Sequence, residues 1–199
     1  MQNRFNEESL YKKLDKLEYW KQLLFLIIVC QRLIPNFFYF EKKTGHIGGK
    51  ILVNAIEKSW SVLMKGKVFV NLTKEQKECE KIAPDTEKYQ TILVSSALDT
   101  AVAVSLLMKA FLEHDTKIIV EAVSLMNDTI EMYIQDMIDV DIFTPIIEEK
   151  IIQHPLMQRE LNQQIKDYDF LLRLDDDLSS SIKIAHKKWF GKYYSCLIF

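Results

Sequence analysis

The chain has 199 residues, 48% apolar and 27% charged, with 26 Lys and Arg against 28 Asp and Glu for a formal net charge of -2. A chain this long makes about one domain and buries a core without staples. Its plentiful apolar residues, three Cys and slightly acidic balance exclude a disordered chain, a disulfide scaffold and a nucleic-acid binder driven by overall charge. Only 5 Gly and 4 Pro punctuate the sequence, which suits long helices better than a sandwich or barrel with a turn every ~10 residues. The expected fold is all-α: one compact domain over residues 1–199, seven or eight helices, and two central buried helices near 17–34 and 92–112.

In chain order, a first helix starts after Asn6, with Glu7 and Glu8 in the first turn, where carboxylates suit the positive helix end. Leu10, Leu14, Leu17, Lys21, Leu24 and Ile28 step by three and four along one face. The run Leu23–Cys30 is apolar all round. It is far short of the ~20 residues that span a bilayer, so it reads as buried rather than as an anchor. The charged residues before it do not make a signal peptide. Pro35 is expected to end this helix, and Asn36 to cap a short one over Phe37–Lys43. The aromatics Phe37 to Phe40 read as a hydrophobic plug over that helix end rather than as a base-stacking platform.

The next helix runs from Lys50 to about Met64, facing Ile51, Leu52, Ala55, Ile56, Trp60 and Leu63 inward. Lys67–Asn71 is strand-like but has no partner, and is read as loop. Thr73-Lys74-Glu75-Gln76 reads as a capping box for a short charged surface helix, and Pro84-Asp85-Thr86-Glu87 as a second capping signal. Behind it comes the most apolar segment, Ile92 to Leu112. Asp115 or Thr116 caps a helix to about Ile138. Thr144-Pro145 and His154-Pro155 each put proline at a first helical position. A last helix spans Leu156 to about Phe190, with a break near Asp175–Asp177 or Ser179–Ser181. The tail 191–199 is short and apolar enough to tuck back onto the core. Cys30, Cys79 and Cys196 lack ligand spacing and read as free thiols in a reducing cytoplasm.

Several of these residues carry a resemblance. Leu17-Glu18-Tyr19-Trp20, Phe25, Cys30-Gln31-Arg32, Pro35-Asn36, Phe40 and Thr44-Gly45, then Trp60, Ala97-Leu98-Asp99-Thr100-Ala101, and His154-Pro155-Leu156-Met157-Gln158 with Glu160 resemble the YjaG-like family, a bacterial domain of unknown function. The resemblance covers about residues 10–165. It implies a compact, wholly helical cytoplasmic domain and brings no activity with it. The chain departs from the family pattern at His46-Ile47-Gly48-Gly49-Lys50, where an acidic residue is expected, and in its more apolar end, Trp189–Phe199.

Two constellations stand out. Asp99 lies in the most apolar helix, and burying a bare carboxylate is costly. Arg32, at the end of the other buried helix, is the expected ionic partner, giving an Arg32–Asp99 pair that fixes helix register. The alternative makes Asp99 an acid or base in a pocket. The second constellation is charge segregation: residues 1–83 hold 15 bases and 9 acids, whereas residues 113–149 hold 10 acids and 1 base. At about 100° per residue, Glu121, Asp128 and Asp139 fall near one line of a helix, flanked by Glu131 and Asp136. That is either a solvated face or an acidic ridge for a partner.

The leading expectation is a non-enzymatic, cytoplasmic binding or adaptor protein whose ridge (Glu121, Asp128, Glu131, Asp136, Asp139) takes a basic protein. A sharper version is an immunity-type protein that caps a toxin. The other class is an enzyme of unrecognised type using Asp99 and Arg32, with Glu57 or Glu160, between the central helices. No cofactor, metal, membrane or direct nucleic-acid contact is expected. Self-association stays open.

Overall fold

The structure, a computed structural model, describes residues 4–66, 71–138, 145–175 and 177–193. Among these residues there are nine α-helices and no strand. Asn6 accepts a hydrogen bond from the Ser9 amide and opens α1, Glu7–Leu14. The helix then breaks at Asp15–Glu18, and α2 begins at Tyr19. The expected single helix is thus two. Leu17, although in the turn, is buried like Leu14, so the apolar rhythm runs on while the backbone changes direction.

α2, Tyr19–Thr44, contains Pro35 instead of stopping there. A proline inside a helix costs about 3 kcal/mol through its missing N–H and its ring. Phe37 and Phe40, one turn on, are fully buried. Each such side chain gains about 1.5–3 kcal/mol on burial, so keeping the helix going outweighs the break. The aromatic plug is therefore part of α2 itself. His46 fastens the next loop: Nε2 meets the Ile82 carbonyl at 2.9 Å and Nδ1 meets the Tyr89 hydroxyl at 3.0 Å. Because a carbonyl can only accept, the neutral ring carries its proton on Nε2 and accepts from Tyr89.

α3, Gly49–Lys65, has no side-chain cap of its own. Glu41 from α2 fills that role, accepting from the amides of Gly48 and Gly49. The α4 helix, Leu72–Lys81, is capped by Asn71 rather than by the expected Thr73 box. Asp85 caps only a single 3-10 turn, Thr86–Lys88. Beyond it, α5, Leu93–Glu113, ends at His114, whose positive φ of 55° closes the helix. Asp115 caps α6, Thr116–Met137. Then follow α7, Pro145–Gln153, α8, Pro155–Leu172, capped by His154, and α9, Leu178–Trp189, capped by Asp177. The break between α8 and α9 lies where the Asp run predicts it. The expectations for Lys67–Val70 and Tyr194–Phe199 lie outside the described residues.

α5 packs against α2, α4 and α6, and α2 also meets α3, α6 and α8. One apolar cluster extends from Leu14 to Trp189. Both α2 and α5 are long and apolar enough to cross a bilayer by length and composition, a longer reach than Leu23–Cys30 alone suggests. However, 83% and 67% of their apolar windows are buried inside the fold. Polar side chains of α2 tie the other helices to it. The Tyr19 hydroxyl donates to the Ala110 carbonyl, Thr116 donates to Gln22, and Gln31 donates to the Trp189 carbonyl while accepting from the Trp60 indole.

Gly48 tests this packing. A Cβ there would sit 2.8 Å from Ile82 Cβ and 3.2 Å from the Phe37 ring. Gly48→Ala should therefore cost about 1–3 kcal/mol by overpacking. The measurement is the urea midpoint, and an unchanged midpoint would mean that α4's end yields freely.

Candidate functional site

The buried charge of α2 does not pair as the sequence suggests. Arg32 forks onto Glu160 of α8, with Nη2 donating to Oε1 at 2.7 Å and Nε to Oε2 at 3.1 Å. Its Nη1 donates to Asp167 Oδ2 at 2.6 Å. Glu160 and Asp167 are seven residues apart, which places them on one face of α8. Amides complete the set. Gln163 donates to Asp167 at 2.8 Å, and Gln164 donates to Glu160 at 3.1 Å and to Asn127 of α6 at 3.3 Å. Burial works against the Arg32 charge, but the two carboxylates outweigh it and hold the guanidinium's pKa above its usual value. Burial also pushes the Asp167 carboxyl up, and Arg32 pulls it back only in part.

The expected Arg32–Asp99 pair is thus corrected. Asp99 instead accepts from the Thr129 hydroxyl at 2.7 Å, joining α5 to α6. Burial raises its pKa to about 6, against the pull of Thr129 and with a smaller push from Asp128. The cavity next to Thr129 holds about 10 Å³, and Asp99 does not line it. That is room for little more than one water, a poor setting for an acid or base. Cys30 and Cys79 are buried free thiols. Burial lifts Cys79 to about 12 and Cys30 higher still, so neither is a ready nucleophile. Among the described residues, no group of three His, Cys, Asp or Glu is placed to hold a metal ion.

Asp167 is not among the residues singled out by the sequence, and Glu160 enters there as a site residue only beside Asp99 and Arg32. Their signal was the inward stripe of α8, where Met157, Glu160, Leu161, Gln164, Asp167 and Leu171 are all buried. Polar groups at core positions of a helical stripe demand a buried partner, and Arg32 is that partner.

The expected acidic ridge divides into parts. Glu121 and Asp128 are exposed on α6 and line an open groove of about 620 Å³ between α1 and α6, together with Glu7 and Glu8. Glu131 is half-exposed and faces a second cavity of about 170 Å³ towards α7 and α8, which Asp128 also lines. Asp136 is exposed farther along α6. Asp139 lies outside the described residues. Burial raises the Asp128 pKa, helped by Glu7; burial raises Glu131 too, helped by Asp128 and Glu148.

Comparison with known proteins places this arrangement. The family described as "Protein of unknown function (DUF416)" matches residues 9–189. The chain belongs to the DUF416 family. The chain is 28% identical over 110 residues to the uncharacterized protein YjaG of Salmonella typhimurium, covering 55% of this chain and 56% of that protein. It thus spans little more than half the length of the YjaG relatives. An uncharacterized protein of Haemophilus influenzae is 26% identical over 164 residues, covering 81% of this chain and 82% of its own. The crystal structure of a DUF416 family protein from Shewanella baltica superposes with a TM-score of 0.82 at 24% identity, covering 89% of this chain and 91% of that one. That likeness shows the all-helical DUF416 fold. The YjaG-like expectation is thereby met, and the relatives remain uncharacterised.

Two substitutions separate the buried charges. Arg32→Met should cost about 3–5 kcal/mol at pH 7, because it strands Glu160 and Asp167 without a counter-charge. The deficit should shrink as pH falls and the carboxylates take up protons. Urea titrations at pH 7 and pH 5 read this directly, and a pH-independent deficit would refute it. Asp99 has the opposite consequence to the one its expected pairing implied. Its folded pKa, about 6, lies above the ordinary 3.8. Its contribution is therefore complete below about pH 4 and is lost as pH rises through about 6, a swing of about 2–3 kcal/mol. Asp99→Asn keeps an acceptor for Thr129 and removes the charge. It should flatten that slope and stabilise the chain at pH 7, and parallel pH–stability curves for the two proteins would show Asp99 to be uninvolved.

Proposed function

We propose that this DUF416 chain is a protein-binding or adaptor module without catalytic activity of its own, and that a basic partner docks on the outer face of α6. The observation that carries the reading is the groove between α1 and α6. Four carboxylates, Glu7, Glu8, Glu121 and Asp128, flank it, while Lys117 is the one cation among its lining residues and Tyr11, Val120 and Leu125 give it apolar contact area. α1 adds to the expected ridge, since its acidic first turn faces the same opening. The raised pKa of Asp128 and Glu131 fits the same reading: burial is its main cause, neighbouring carboxylates add to it, and an incoming cation offsets both. Such a field speeds encounter and weakens with salt. The enzyme alternative lacks this support, because Arg32 is fully committed to α8 and Asp99 does not line the small cavity next to Thr129. A cytoplasmic setting belongs to the proposal and fits the free thiols of Cys30 and Cys79.

The test is charge reversal on the exposed face. Immobilised wild-type chain should retain a basic protein from extract of its own cells at low salt and release it near physiological ionic strength or above. Glu121→Lys with Asp128→Lys should abolish retention and leave the helical circular dichroism unchanged. Retention that survives both substitutions would remove α6 from the proposal.

A further inference from the structure

Residues 4–6 precede α1 and belong to no helix. Phe5 is half-buried against the apolar core. A cavity lies on each side of it, about 110 Å³ towards α1 and α8 and about 170 Å³ among α6, α7 and α8. Arg4, Phe5 and Leu161 line both. Gln164 lines the first and Asn127 the second, and the two are bonded to each other at 3.3 Å and almost fully buried. Arg4 and Phe5 form part of the wall of both spaces, so removing their side chains would widen the cleft that the two spaces make.

The cleft's chemistry matches what now occupies it. Met157, Leu161 and Ile151 supply apolar wall, and Asp128, Glu131 and Glu148 supply negative charge. Arg4 answers that charge weakly, at 3.6 Å from Glu148 and 3.5 Å from Glu149, with 59% of its side chain exposed. An exposed pair of this kind contributes little, so Arg4 and Phe5 are held mainly by the half-buried ring, while Asn6 is fixed as the cap of α1.

The geometry points to a peptide-binding cleft at α6, α7 and α8 that takes a partner segment bearing a cationic residue beside an aromatic one, with Arg4-Phe5 as its resident intramolecular occupant. This deepens the docking proposal, resting on it for the partner's basic character, and names the inner edge of the same acidic face. The tethered segment competes at a high effective concentration, so the free chain presents the site in a closed form. Glu131, half-buried and with Asp128 and Glu148 beside it in the same cleft, is the carboxylate that a stronger cation would pair with.

The probe is a labelled synthetic peptide copying residues 1–6, titrated by fluorescence anisotropy into the full-length chain. Arg4→Ser with Phe5→Ser empties the cleft and should bind the peptide about tenfold or more tighter than wild type. Adding Glu131→Lys and Glu148→Lys should erase that gain. Equal affinity for wild type and the emptied variant, or no binding to either at millimolar peptide, would overturn the cleft. Should the emptied variant fail to fold, Phe5→Ala alone, which removes the ring that holds the segment and leaves Arg4 on the surface, must show a tightening or the proposal falls. Peptide binding that survives Glu8→Lys with Glu121→Lys, which line only the outer groove, while partner retention is lost separates the two readings. Partner retention without any peptide binding would remove the cleft and leave the outer face standing.

Discussion

One buried guanidinium organises this molecule. Arg32 projects from the middle of α2 into two carboxylates of α8, so a net negative cluster sits where an apolar contact would be expected. In energy alone, well-packed apolar residues of the same volume would serve as well or better. A fork onto Glu160 with a third bond to Asp167 offers direction instead: α8 satisfies it in one rotation about its own axis. The supporting amides carry that direction outward. Gln164 bonds Asn127 of α6, and Asn127 is the neighbour of Asp128, so the buried charge and the outer acidic face are held in one frame.

Much of the helix plan could be read from short-range chemistry. Asn6, Asp115 and His154 each cap the helix that their position implies, and the two apolar rods are indeed the buried ones. The misreadings share a cause, which is that distant packing overrules a local rule. Pro35 stays helical because Phe37 and Phe40 must reach the core. Leu17 keeps helical spacing while sitting in a turn, so periodicity alone could not reveal the bend between α1 and α2. The cap of α3 comes from another helix altogether, a donor–acceptor match that no local motif encodes.

The candidate site was legible in part. Charge counting found α6, because ten acids against one base is a property of the line of residues itself. It could not find Glu7 and Glu8 as the opposite wall, since that requires α1 to fold back across α6. Arg32 was rightly picked out as a buried charge needing a partner, but Asp99 drew attention by standing in the most apolar helix. Glu160 and Asp167, spread along a mixed helix, were the less conspicuous and the better placed. DUF416 relatives share the fold and carry no assigned activity, so the surface rather than the family has to supply the functional reading.

The meeting of α2 with α3 has a wider meaning. The free amides at the start of a helix are natural cradles for phosphate and other anions. Here Glu41 already lies across the Gly48 and Gly49 amides, and Phe38 and Ile82 crowd the space around those two residues. A position that in other folds welcomes a nucleotide has become an internal hinge pin, locked by a carboxylate the chain carries with it.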